Sequence, residues 1–257
     1  MEADNINQCL NFCCEIARQL IRNGAEMYRV EESARRILDA YGYQSHEVFA
    51  IPACVLITIE WDGKNYTKSV RLRSSANNLD KLEKLNNLCR QICAAPIDLE
   101  DAIARLRGIV SEPDYPLWVS YFGSGCVAMF FTLLWGGHLL DAGVSFFCGL
   151  IVKFTTRKMT KWDANIFFIN LCASMLLVTV PVFLRFLACP VHPDMIIIGA
   201  IMLLVPGVAI TNVMRDVIVG DFLTAISKLS EVLIVALAIA IGIALPYSLA
   251  RVLFGVI

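Results

Sequence analysis

The sequence predicts a helical membrane bundle of about five spans preceded by a small soluble α+β domain. Three observations predict it. The 257 residues are 57% hydrophobic with a mean hydropathy of +0.63, more apolar than soluble domains, whose apolar usage is roughly half. Most of the 22 Lys and Arg and the 23 Asp and Glu precede residue 115, so a charged domain at 1–115 and an apolar one at 116–257 read as separate. Uncharged stretches of 19, 21 and 19 residues, at 117–135, 164–184 and 232–250, are each long enough to cross about 30 Å of hydrocarbon as a helix.

Within 1–115, Ile6, Leu10, Cys13, Cys14, Ala17 and Leu20 or Ile21 recur at helical spacing, and Asn23-Gly24 supplies a stop. A second helix is predicted over about 27–41, with Val30, Ala34, Ile37, Leu38 and Tyr41 on one face and Gly42 as its terminator. Its opposite face carries Arg29, Glu31, Glu32, Arg35 and Arg36, a pattern of solvent-facing i,i+4 pairs. The Arg29-Val30-Glu31 cluster beside Gly24 either gates the membrane half or belongs to that surface face. Runs at 45–51, 53–61 and 65–73, rich in Val, Ile, Thr and aromatic residues, read as strands, with Asp62-Gly63 as a two-residue hairpin turn. Asn78, Leu79 and Asp80 open a third helix whose buried stripe is Leu82, Leu85, Leu88, Cys89 and Ile92, and Pro96 ends it. A fourth helix over about 98–110 and a stiff linker at 112–116 close the domain.

From Leu117 the composition changes. Span 117–135 has Trp118, Tyr121 and Trp135 as interfacial anchors, and Gly123 and Gly125 as points of close helix approach. A Gly136-Gly137-His138 turn leads to a short second span, 139–152, interrupted by Asp141 and followed by Lys153, Arg157, Lys158 and Lys161. Span 164–184 carries Asn165, Asn170 and Ser174, which either line a cavity or bond neighbouring helices. The fourth span starts at Met195 and meets Pro206, which removes a backbone donor and, with Gly207, breaks or bends a helix in mid-membrane. The fifth is 232–250, preceded by Lys228 and Glu231.

Five spans put the chain ends on opposite sides. With 1–115 cytoplasmic, Arg105, Arg107, Lys153, Arg157, Lys158, Lys161, Arg215 and Lys228 lie inside and only Arg185 and Arg251 outside, as the positive-inside rule requires. The expectation is a multi-pass protein of the cytoplasmic (inner) membrane with a cytoplasmic N-terminus.

A net charge of −1 leaves no basic face for phosphates and argues against a nucleic-acid partner. The ten cysteines are scattered through helices and spans, as small hydrophobes in a reducing compartment, and their spacing does not suit zinc. The first twenty residues carry Glu2, Asp4 and Glu15 without an uninterrupted apolar core, so no cleaved signal peptide is expected. In 1–115 no Ser-His-Asp, Cys-His or paired-carboxylate grouping is legible, and no nucleotide-binding loop is present. Neither enzymatic chemistry nor a cofactor or metal is expected.

The functional signal lies at 203–231, LLVPGVAITNVMRDVIVGDFLTAISKLSE. Thr211 and Arg215 are four apart, as are Asn212 and Asp216, so all four lie on neighbouring faces of a helix that follows the Pro206-Gly207 break. Gly220 and Asp221 come next. An ionisable group near hydrocarbon is a functional candidate by default, and interrupted helices are how many transporters present a positive end to a substrate carboxylate. On that reading Arg215 and the helix start receive a carboxylate, Thr211 and Asn212 hydrogen-bond it, and Asp216 or Asp221 balances Arg215 in the empty state or carries a coupling proton. Asp141 and Glu231 are further candidate coupling carboxylates. The plain alternative makes Arg215 and Asp216 topology charges at a span end, and Asp141 an interfacial loop charge.

VPGVAITNVMRDVIVGD ahead of the last apolar helix, and FGSGCVAMFFTLLWGGHLLD ahead of the second span, resemble the threonine/serine exporter (ThrE) family. GAEMYRVEESARRILDAYG and NNLDKLEKLNNLCRQI are similar to that family's N-terminal region, so the resemblance covers nearly the whole chain. An N-terminal domain with five spans resembles the larger subunit of the family's split form. That resemblance implies a second small membrane subunit (YjjB-like) as partner, and secondary export of small carboxylate-bearing metabolites: threonine and serine in the fused form, succinate in the split form. Pro206, Gly207, Thr211, Asn212, Arg215, Asp216, Gly220 and Asp221 match the family signature, whereas Lys228 stands where the pattern places Arg. A lysine cannot make the bidentate contact that an arginine makes there. The competing classes are a membrane-anchored regulatory or scaffold protein, and a hydrolase whose soluble domain carries the activity.

Overall fold

A computed structural model describes residues 2–72 and 78–254. It divides into two compact units, Met1–Pro113 with Arg215–Ser227, and Asp114–Met214 with Lys228–Ile257.

The first unit begins with α1 (Glu2–Arg22) and α2 (Met27–Ala40). A three-stranded antiparallel sheet follows in the order β1 (His46–Ile51), β2 (Cys54–Trp61), β3 (Lys64–Arg71). Then come α3 (Leu79–Ala94) and α4 (Leu99–Ser111). The expected end of the third strand at Arg73 lies outside the described residues. Trp61 pairs with Lys64, and Asp62 and Gly63 both take positive φ, 51° and 67°, the two-residue geometry that follows strand twist. Asn78 caps α3 by accepting from the Lys81 N–H at 3.1 Å, and Asp98 caps α4 through the Glu100 N–H. Each cap satisfies a donor that the helix start leaves without an intrahelical partner. The apolar stripes of α1 and α2 meet the inner face of the sheet and α3 packs on both helices, burying Phe12, Ile16, Ile37, Ile57, Leu85 and Ile92.

The charged face of α2 departs from the solvent-facing expectation in one respect. Glu31 and Arg35 pair at 3.0 Å. Glu31 Oε1 also accepts from the Ala50 N–H at 2.9 Å, and Arg35 Nη2 donates to the Val48 carbonyl at 3.3 Å. The helix thus supplies partners to the outer edge of β1.

The rest of the chain forms α5 (Leu117–Leu134), α6 (Leu139–Lys161), α7 (Ile166–Phe186), α8 (Pro193–Ile201), α9 (Gly207–Val219) and α10 (Phe222–Phe254). The division between units falls within α9, after Met214, and again within α10, after Ser227. Four helices are long and apolar enough to cross a membrane: α5, α6, α7 and residues Phe222–Val252 of α10. The expectation of about five spans also counts the stretch beginning near Met195, which Pro206 is expected to break. That stretch is split into α8 and α9, of 9 and 13 residues, so neither piece alone has the roughly 20 residues of an unbroken spanning helix, and the interruption falls where Pro206 predicts it. The short second span is corrected, because α6 runs 23 residues and continues through the basic cluster to Lys161.

Small residues set the spacing of these helices. A Cβ added to Gly199 would lie 2.6 Å from the Thr132 backbone nitrogen, and one on Gly242 would lie 2.6 Å from the Leu171 carbonyl oxygen. Close backbone approach of this kind is how membrane helices pack without a hydrophobic drive between them. Gly125 meets the Phe146 ring, as expected of a close approach, whereas Gly123 faces open space. Asn165 caps α7 through the Phe167 N–H, and Asn170 and Ser174 donate to carbonyls of their own helix at Ile166 and Asn170. Those side chains serve α7 rather than a cavity.

Candidate functional site

The segment after Met202 is interrupted where the sequence predicts. Residues 202–205 form a turn and bend, and the Pro206 carbonyl accepts from the Ile210 N–H at 3.0 Å as the first bond of α9. Gly207 therefore opens a helix whose leading N–H groups carry partial positive charge. Thr211, expected to face substrate, donates instead to its own helix, its Oγ1 lying 2.9 Å from the Val208 carbonyl and 3.1 Å from that of Gly207. Asn212 is half-buried, Arg215 is exposed and Asp216 is buried, at 2% exposure.

Arg215 is ion-paired with Glu26, which immediately precedes the helix predicted over about 27–41. Glu26 is the N-cap residue of α2, and its carboxylate receives the Arg215 guanidinium through Oε1. Its Oε2 lies 3.0 Å from Nε of Arg29. With a side chain only 13% exposed, Glu26 is a largely buried carboxylate between two guanidiniums. One of the expected counter-ions, Asp221, has another duty. Asp221 caps α10 by accepting from the Thr224 N–H at 3.2 Å, and its own N–H donates to the Asp216 carbonyl at 2.9 Å. Gly220 has a φ of +90° and makes the turn between α9 and α10. The only signal that could have found Glu26 was its position two residues after the Gly24 helix stop, where an acidic residue suits a helix start.

Asp141 lies elsewhere, at the start of α6. Its carboxylate is fully buried and accepts from the His138 N–H at 3.0 Å and the His192 N–H at 2.8 Å, with His192 Nδ1 a further 3.0 Å away. The rings of His138 and His192 sit 5.2 Å apart. Asp141 thus ties the N-terminus of α6 to that of α8, a role hidden from sequence because His192 is 51 residues away. Glu231, the second candidate coupling carboxylate, is exposed on α10.

Chemically, the Glu26–Arg215 arrangement can exchange one carboxylate for another on a forked donor. Among the described residues no group of three or more His, Cys, Asp or Glu could hold a metal ion. Burial raises the Cys13 and Cys89 thiols, the latter to about 12, although for Cys13 a hydrogen bond with Cys9 is the larger cause. Both remain protonated, and neither is a nucleophile at neutral pH.

A multi-pass membrane protein joined to a small α+β unit, with an interrupted helix carrying an ion-paired arginine, is the class these features define. Residues 11–250 match the family described as "Putative threonine/serine exporter", and the chain belongs to that family. It is 24% identical over 253 residues to the "Probable succinate transporter subunit YjjP" of Klebsiella aerogenes, with 97% of each chain covered. The Escherichia coli protein of the same name is 20% identical over 258 residues, again at 97% of each. The "Probable threonine/serine exporter" of Mycobacterium tuberculosis is 22% identical over 239 residues, which cover 91% of this chain and 45% of that protein. No solved structure matches the chain.

Proposed function

We propose that this chain is one subunit of a secondary transporter that exports a small carboxylate-bearing metabolite, a succinate-like dicarboxylate before threonine or serine, across the cytoplasmic membrane. The preference for a dicarboxylate rests on the relatives matched end to end, which are named as succinate transporter subunits. Those names call the relatives a subunit, which supports a partner subunit, here taken as a second small membrane protein. The N-terminal domain is assigned to the cytoplasm on the distribution of Lys and Arg.

The observation that carries the site is the carboxylate of Glu26 resting on Arg215. Arg215 already holds the functional group that the cargo would bring. The transport segment is then Pro206, Gly207, Thr211, Asn212, Arg215 and Asp216, with Gly220 and Asp221 shaping its end. Substrate displaces Glu26 from Arg215, and Glu26 returns when the site empties. Asp141, with Glu231 as second candidate, carries the coupling proton.

The test is efflux from cells lacking the chromosomal copy and supplied with this chain and its partner. Arg215→Ala is expected to abolish succinate, threonine or serine efflux while membrane insertion is retained, and unchanged efflux from an inserted variant refutes the site. Transport by this chain alone in liposomes refutes the two-subunit assignment. Asp141→Asn is expected to uncouple efflux from an imposed pH gradient.

A further inference from the structure

A second anion site lies in the first unit, between α2 and α3. Two stripes at helical spacing face each other: Arg29, Ser33 and Arg36 on α2, and Asn86, Arg90 and Cys93 on α3. They line an open groove of about 460 Å³, within the size range of small-ligand sites. Three guanidiniums face one carboxylate, that of Glu32, which is taken up by Arg36 at 2.6 Å.

Each arginine keeps donors in reserve. Arg36 and Arg90 use Nη2, on Glu32 and on Asn87 Oδ1 at 2.9 Å, and Arg29 uses Nε on the Tyr28 hydroxyl, with Glu26 Oε2 in ion-pair range at 3.0 Å. A guanidinium has five N–H donors, so forked contacts to a ligand remain available from all three. The floor adds no opposing charge, because burial raises the thiols of both Cys89 and Cys93. Ser33 and Asn86 supply neutral donors at the middle of the groove.

We propose that this groove binds a small polyanion, a di- or tricarboxylate, and that its occupancy is felt at Arg215. The link is Arg29, which lines the groove and also holds Glu26, the carboxylate that holds Arg215. A ligand that takes Arg29 leaves Glu26 with one guanidinium in place of two. Binding does not depend on the transport reading, since every residue of the groove lies in Met1–Pro113.

The experiment is calorimetric titration of the full chain in detergent with citrate, succinate, inorganic phosphate and neutral succinamide. Citrate or succinate is expected to bind saturably and succinamide not at all, and phosphate more weakly than citrate because it spans fewer donors. The Arg36→Ala/Arg90→Ala double variant is expected to raise Kd at least tenfold, as is Asn86→Asp. Both change half-buried or exposed side chains and are checked for an unchanged thermal midpoint. Glu26→Gln is expected to tighten binding several-fold, and Glu60→Gln, on the sheet, to leave it unchanged. Arg215→Ala is expected to keep groove binding even where export is lost, which separates the two sites. No saturable binding of any carboxylate, equal binding of phosphate and citrate, or an unaltered Kd in the double variant overturns the site. An unaltered Kd in Glu26→Gln overturns its link to Arg215.

Discussion

Asp141 and His192, 51 residues apart, are joined twice: the His192 N–H donates to one carboxylate oxygen at 2.8 Å, and its ring nitrogen lies 3.0 Å from the other. With the His138 N–H also on that carboxylate, one acidic side chain terminates two helices. Asp141→Ala would leave two backbone donors without partners at a buried point, which costs about 1–3 kcal/mol for each orphaned group. The expected outcome is a thermal midpoint several degrees lower in detergent, with Glu231→Gln, an exposed change, leaving it unmoved. Equal midpoints for the two variants would deny Asp141 its joining role.

The Glu26–Arg215 pair is expected to show energetic coupling. Glu26 is largely sheltered and Arg215 half exposed, so a double-mutant cycle with Glu26→Gln and Arg215→Ala should give about 1 kcal/mol, the upper end for a partly exposed ion pair. Unfolding midpoints of the four proteins measure it. Strict additivity would mean that the contact contributes nothing to the folded state.

Gly199 is the point at which α5 and α8 touch backbone to backbone. Gly199→Val is expected to force the helices apart and to disturb the hydroxyls of Thr132 and Ser145, which sit 2.7 Å apart and share the Ala128 carbonyl. Overpacking of this kind costs about 1–3 kcal/mol. Gly123→Ala, which meets nothing within 4 Å, should be silent. Yields of folded protein after solubilisation compare the two.

Alkaline pH should weaken the first unit through Cys89. Its thiol rises from 9.0 to about 12 on burial, so the folded state holds a proton that the unfolded chain releases. The stabilisation is complete below about pH 9 and is lost as pH climbs towards 12, at about 1.4 kcal/mol per pH unit for one thiol. Thermal midpoints between pH 8 and 10.5 should fall, and Cys89→Ala should flatten the decline. A slope identical in the variant would assign the loss to other groups. In the same samples Cys93, exposed at the end of α3, is expected to react with a thiol reagent before buried Cys13 and Cys89.

Local pattern carried most of the fold. Period-3.6 stripes, the Asp62-Gly63 turn and the Asn78 and Asp98 caps are decided by neighbours a few residues apart, and they form where the sequence places them. The membrane half was legible in its uncharged runs but not in every helix length, since α6 runs on to Lys161. A break at Pro206 is visible in the text, whereas the shortness of both resulting pieces depends on where α8 begins, at Pro193. The site divided in the same way. Thr211, Asn212, Arg215 and Asp216 share one helix as their spacing requires, but Glu26 and His192 are joined to Arg215 and Asp141 only by tertiary packing, which no spacing rule reaches.

The clasp of Glu31 and Arg35 on Ala50 and Val48 has a consequence for how this protein associates. A three-stranded sheet has two open margins, each a template for an incoming extended chain. On the β1 margin the α2 side chains occupy hydrogen-bonding positions that such a chain would need, and on β3 Lys64, Lys68 and Arg71 set positive charge along the other. Strand addition is thereby discouraged on both flanks, and recruitment of other chains is left to helical surfaces.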